Sequence, residues 1–375
     1  MKTVTKIPHT RLDLAKFAYS TSRINRSTIR TLLQGDWKPR SGDLILARIV
    51  ELDQKNKLEL TNGRRSRLFL GDEVVLCYGN RYATNQFEAV VPHSLEVCSL
   101  VSSGGIAAKM MSFHDNARMP TSIEPIALLG DKDGQFLNLS QFSLPQLKTN
   151  KPRPYTIAIV GTAMNSGKTK SVANLIRGMT RSGLNVGTAK ITGTGVGKDV
   201  WHMSDAGAKE ALDFTHAGLP STYMAPVEEI LRVFNTLISK LSSSGVDVVV
   251  LEIADGIYQN ETSRLLQSDT LKDQVDSVIF SASDPMGAVA GVRWLIENSL
   301  PVTAVCGSLT RSPMALRETR SATGFPVLDQ EGLTSTNWKY LLENQINQVD
   351  SEKKYRISLD RLDAIMDMTV NLESY

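Results

Sequence analysis

The chain has 375 residues, 41% of them hydrophobic and 22% charged, with a formal net charge of +3. That length exceeds one ordinary core and predicts two domains. The charge is too balanced to argue for nucleic acid by itself, and aromatic residues, 6% of the chain, are not interleaved with a basic stripe, so nucleic-acid stacking is not supported. No apolar run reaches the ~18 residues of a membrane span, so no membrane partner is expected. The first residues, MKTVTKIPHTRLDLAKF, lack the apolar core of a signal peptide. Three scattered cysteines, Cys77, Cys98 and Cys306, form no CxxC pair and read as reduced core thiols of a cytoplasmic protein. The five histidines show no metal-binding spacing. No GxSxG elbow is present, and no GxGxxG follows a strand.

Residues 10–34 have helical character and carry Arg11, Arg23, Arg26 and Arg30, which read as a solvated helix face or as a surface for a polyanion or acidic partner. From residue 41 the chain reads as short strands. The run DLILARIVEL (43–52) is apolar and β-branched. Residues 57–60 and 66–70 flank Thr61-Asn62-Gly63-Arg64, where Asn-Gly signals a hairpin because both residues accept positive φ. Residues 73–78 and 86–91 continue the pattern, and many short strands with little helix predict a small mainly-β, barrel-like domain over 1–145. LPQLKTNKPRP (144–154), with three prolines and three basic residues, predicts a solvated linker at 146–154.

Beyond the linker the rhythm changes. Strand-like runs at 156–160, 185–190, 247–252, 277–281, 302–305 and 326–328 alternate with helical stretches at 168–182, 203–216, 227–243, 286–298 and 312–323. That alternation predicts an α/β domain over 155–335, a doubly wound, mostly parallel sheet with ligand at the carboxyl ends of its strands. A helical extension is expected over 336–375.

The first strand runs into Gly161-Thr-Ala-Met-Asn-Ser-Gly167-Lys168-Thr169, where a helix opens. Glycine allows a tight turn that aims backbone N–H groups inward, and the helix N-terminus adds its positive end at the same point. Lys168 can reach the β and γ phosphates, and Thr169 can offer its hydroxyl to Mg²⁺. Five residues separate the glycines where four are usual, so Thr162 takes the first glycine's place. The expected nucleotide contacts are Gly161, Thr162, Asn165, Ser166, Gly167, Lys168, Thr169 and Lys170.

Gly-Thr, four further residues and Gly-Lys-Thr resembles the loop of dethiobiotin synthetase and its P-loop relatives, and the resemblance covers about residues 155–328. The early lysine of the partition and septum-site ATPases is missing. The second strand ends at Lys190, which the resemblance implies holds the transferring γ-phosphate or an acidic substrate; a solvated strand-end lysine is the alternative. DVVVLEIADG (247–256) resembles the family strand that ends in an acid, which makes Glu252 the expected Mg²⁺ ligand, with Asp255 as backup. The resemblance implies a further metal-holding aspartate in ITGTGVGKDVWHMSDA (191–206), where Asp205 is preferred to Asp199. Ser283 and Asp284 read as phosphate-facing residues or as helix caps. Cys306 stands where the family often reads the base, and no Thr/Asn-Lys-x-Asp guanine motif is present, so ATP is expected rather than GTP. Dethiobiotin synthesis itself is not expected, since Lys190-Ile-Thr departs from the family's Lys-Pro-Val and residues 1–145 have no counterpart there.

Two functions follow. One is an ATP- and Mg²⁺-dependent phosphoryl-transfer or ligase-type enzyme, with Lys168 and Lys190 catalytic and Thr169, Asp205 and Glu252 on the metal. It would act on a small acidic molecule held by residues 191–206 and 253–260. The other is a nucleotide switch whose N-terminal domain grips a protein or other partner, as in the accessory protein of molybdopterin-guanine dinucleotide synthesis, which this domain resembles in loop and sheet. A homodimer is expected in either case.

Overall fold

The computed structural model describes residues 1–52, 56–147 and 153–335. Residues 148–152 of the expected linker and the expected extension over 336–375 lie outside them. Backbone contacts divide the chain into two compact units. The first is Met1–Pro145 with two later segments, Thr192–Asp199 and Asp213–Glu229, as far as these are described; the other described residues form the second.

In the first unit, strand pairings close into a ring of five. Ser122–Gly130 pairs with Leu44–Glu51, which pairs with Glu73–Tyr78. Ile106–Phe113 follows in parallel, and Cys98–Ser102 pairs with both it and Ser122–Gly130. Successive side chains of a strand face opposite ways, so an unbroken apolar run needs a core on each side. Leu44, Leu46, Val75 and Cys77 feed one core, while Ile45, Ala47, Ile49, Val74, Leu76 and Tyr78 feed another. Closure also leaves few open sheet edges. The hairpin over Asn62-Gly63 forms, with Lys57–Glu59 antiparallel to Arg65–Arg67.

Residues 10–34 do not make one helix. A six-residue helix, His9–Leu14, gives way to the short strand Lys16–Phe17, two single 3-10 turns and the strand Thr31–Gln34. The cause is local and tertiary together. Asn25 accepts a hydrogen bond from the amide of Ser27, capping a turn, and Leu12, Phe17, Ile24, Ile29 and Leu32 all enter one core, a spacing no single helix face provides. The arginines are not one face either. Arg11 makes a two-bond pair with Glu73 at 2.7 Å, Arg23 donates to the carbonyl of Phe142, and Arg26 lies 4.0 Å over the ring of Phe17.

The second unit holds a six-stranded sheet. Its order is Glu210–Asp213, Val186–Lys190, Val248–Glu252, Tyr155–Gly161, Ser277–Ser281 and Val302–Cys306. The pairings from Val186–Lys190 through Val302–Cys306 are parallel. The three central strands are buried along their whole length, which is why they read as continuous apolar runs. Two elements differ from expectation. Residues 203–216 hold the end of the helix Gly197–Asp205 and the edge strand Glu210–Asp213, because Gly207, at φ 105°, stops the helix. Residues 326–328 contribute one parallel bridge, Val305 to Val327, rather than a strand.

Candidate nucleotide site

The strand Tyr155–Gly161 delivers the chain to the carboxyl edge of the sheet, and the helix Lys168–Arg181 starts seven residues later. Gly167 is the helix N-cap at φ 109°, a left-handed conformation that side chains other than glycine rarely adopt. Asn165 is also left-handed, at φ 66°, as asparagine tolerates. The loop is braced by its neighbours: Thr162 N–H donates to Ser281 O at 3.0 Å, Ser281 Oγ donates to Ser166 O at 3.0 Å, and Ser308 N–H reaches the same carbonyl at 2.7 Å. Small residues after the strands ending at Ser281 and Cys306 therefore fix the loop's shape. Sequence reading assigned them no bracing role, because serine and glycine in a strand-to-helix turn carry no distinctive signal.

Four side chains converge at the strand ends. Lys168 is buried, and its ammonium donates to Ala163 O at 2.8 Å and to Ser166 Oγ at 3.5 Å. Thr169 Oγ1 donates to Glu252 Oε1 at 2.9 Å, and Lys190 Nζ lies 3.4 Å from the same oxygen. Glu252 is 1% exposed, and in the sheet Lys190 is its direct partner. Burial pushes the Lys168 ammonium below the ordinary lysine range, with Lys190 adding to that, while Glu252 and Asp255 pull it back up. The arrangement concentrates two cations beside one buried carboxylate at a helix N-terminus, a charge pattern suited to an anion carrying a hard metal ion.

The residues present fit magnesium. A threonine hydroxyl and a glutamate carboxylate already in contact are hard oxygen donors, two in number. That suits an ion that takes few protein oxygens and completes its shell with phosphate and water.

The structure brings Gly161, Thr162, Asn165, Ser166, Gly167, Lys168 and Thr169 into one loop, with Lys170 exposed on the first helical turn. Lys190 and Glu252 join them, and Asp255 acts on Lys168 electrostatically. Asp205 does not join. It is the exposed last residue of its helix, and Gly207, just beyond it, abuts Thr180. Thr180 lies about 16 Å along the helix from Thr169, at ~1.5 Å per residue. Asp199 lies in the first turn of the same helix, within the first unit. Asp284 is a helix N-cap, accepting from Gly287 N–H at 2.8 Å. Cys306 is buried, and burial pushes its thiol up to about 11.

The family model of molybdopterin guanine dinucleotide synthesis protein B, MobB, matches residues 156–265. No curated protein matches the chain. Among solved structures, the 54 kDa signal recognition particle protein of Aeropyrum pernix in complex with GDP is 19% identical, covering 62% of this chain and 54% of its own, with a TM-score of 0.35. The signal recognition particle receptor FtsY of Elizabethkingia anophelis with GDP is 19% identical over 49% of this chain and 58% of its own, with a TM-score of 0.34. Chloroplast FtsY of Physcomitrella patens is 15% identical over 49% and 59%, with a TM-score of 0.32. The matched regions span less than two thirds of those three chains. With the loop geometry and the family match together, the chain carries a nucleotide-binding P-loop and is MobB-like over residues 156–265.

Proposed function

We propose that the second unit binds a magnesium nucleoside triphosphate at 161–169 and cleaves its γ-phosphoryl group. The observation that carries this is the convergence of Lys168, Thr169, Lys190 and Glu252. Backbone amides of the loop and the helix N-terminus hold the β phosphate. Lys168 turns from its own loop carbonyl to the β and γ oxygens, and Lys190 neutralises the charge that develops on the transferring group. Thr169 and Glu252 would hold magnesium, which would offset phosphate charge as it develops. ATP is the expected nucleotide and GTP the alternative.

The match to the MobB model over 156–265 supports a nucleotide switch, in which hydrolysis alters what the β-rich unit presents to a partner. The dethiobiotin synthetase-like loop and the second cation at Lys190 favour another use of the same site, ATP-dependent activation of a small acidic metabolite. The two uses separate by stimulation: a switch hydrolyses slowly alone and faster with a macromolecular partner, whereas a ligase or kinase responds to a metabolite. A second copy of the chain is the first partner to test, by light scattering with and without nucleotide. Turnover of Mg-ATP and Mg-GTP is expected from the parent and not from Lys168→Ala; equal turnover by both proteins contradicts the assignment.

A further inference from the structure

The connection that leaves Lys190 belongs to the β-rich unit, and that unit grips it with buried charge. Ile191 still donates from its amide to Glu252 O in the nucleotide sheet, but from Thr192 the chain is part of the first unit. There the segment Thr192–Asp199 zips onto the other inserted segment. Gly193 N–H donates to Thr222 Oγ1 at 2.9 Å, Thr222 N–H returns to Gly193 O at 3.0 Å, and Gly195 N–H donates to Pro220 O at 2.9 Å. The ring strands and the hairpin then hold it from outside. Ser102 Oγ donates to Gly195 O at 2.8 Å, and Gly197 N–H donates to Glu59 Oε2 at 3.0 Å. Gly104 presses on the same turn so closely that a Cβ there would lie 2.3 Å from Gly195 O and 2.7 Å from Val196 Cα.

The second inserted segment has its own buried carboxylate. Asp213 accepts from Tyr19 Oη at 3.0 Å and from Thr215 N–H at 2.9 Å. Glu59 and Asp213 are each 1% exposed. Burying a carboxylate is costly, and cohesion alone would be served by apolar side chains. What directed charge adds is a single conformation. With glycine at 193, 195 and 197, the segment has wide backbone freedom unless such bonds remove it.

We infer that the β-rich unit positions the connection following Lys190, through Glu59, Ser102 and Gly104, and thereby reads the state of the phosphate site. This rests on the nucleotide assignment above. One residue, Ile191, separates the cation expected at the γ-phosphate from a segment that the β-rich unit holds fixed. A change in the pull on Lys190 is borne by the Ser102 and Glu59 bonds.

Hydrogen exchange on the full chain tests this, with Mg-AMP-PNP and Mg-GMP-PNP as probes. The expected result is slower exchange at 161–169 and, in the same samples, altered exchange at 192–199, 57–60 and 99–105. Protection confined to 161–169 overturns the inference and leaves the nucleotide assignment standing. No protection at 161–169 at saturating probe overturns both. Glu59→Ala and Ser102→Ala are expected to bind probe within ~3-fold of the parent, while exchange at 192–199 rises about 10-fold and loses its response to nucleotide. A purely structural role would raise exchange there and keep the response, which is the contradicting result. If Glu59→Ala does not fold, Ser102→Ala, which removes one hydroxyl, decides alone.

Discussion

The phosphate loop and the segment 192–199 are both glycine-bearing connections that leave the carboxyl end of a strand, yet the loop carries its turn and helix start within its own sequence while the segment depends on remote bonds. The loop takes its form from a left-handed Gly167 and the start of its own helix, and Ser281, 115 positions from Ser166, adds a remote brace. The segment 192–199 is shaped by residues far away in sequence, Glu59 and Ser102, which lie 138 and 93 positions from their partners. A local code can be read from a short stretch of sequence. A remote one cannot, because nothing in ITGTGVGKD announces the carboxylate that will accept its amide.

The sharpest way to break the local half of this comparison is Lys168→Ala. Removing a charge aimed at the transferring group is expected to lower the hydrolysis rate by about 100-fold or more, by analogy with loss of one oxyanion donor, measured as phosphate release. The fold should survive, since burial already disfavours that ammonium. Glu252→Gln comes next. It keeps size and a hydrogen bond to Thr169 but removes the metal's carboxylate, so a magnesium titration of hydrolysis should shift its midpoint upward about 10-fold, the usual scale for a perturbed metal site.

The remote half is probed by stability. Tyr19→Phe removes a donor to buried Asp213 and should lower unfolding stability by about 1–3 kcal/mol in denaturant titrations, with the phosphate loop's own chemistry intact. Burial alone would push the Asp213 carboxyl up, but His216, Thr215 and Tyr19 outweigh that and hold it below the usual range. A lowered folded value means the contribution is complete above the unfolded pKa, about 3.9, and is lost as pH falls through the folded value. Acid titration of Asp213→Asn should therefore lack that part of the parent's loss of stability. The smallest effect is expected from Arg11→Ala. Its pair with Glu73 is partly exposed, so the change should cost about 1 kcal/mol or less and lessen further with added salt.

The same contrast explains what was legible in the sequence. The parallel sheet was, because strands covered on both faces must be apolar throughout, and VDVVVLEI says so. That Lys190 and Glu252 stand beside the loop was legible because each ends such a strand. Asp205 stands away from the loop because its helix ends beside Gly207, which packs against Thr180, and no local pattern in 191–206 marks that contact. The helical character of residues 10–34 survives only in the short helix His9–Leu14, because the packing of Ile24, Ile29 and Leu32 into a β-rich core overrides it. The division of the chain was only half visible. A composition shift marks a linker, but two short segments that leave one unit for another carry no compositional mark.

The central claim is that Lys168 and the loop around it grip a polyphosphate, and calorimetric titration with Mg-ATP and Mg-GTP tests it most directly. Bound phosphate favours charged Lys168, so its pKa should rise from the depressed value of the free protein. Proton uptake on binding should follow at alkaline pH, where Lys168 of the free protein loses its charge first, seen as a dependence of heat on buffer, with affinity falling as pH rises through the raised pKa. Saturable binding with that uptake in the parent, and neither in Lys168→Ala, is the predicted result. Binding of equal strength and equal proton balance in both proteins would contradict it.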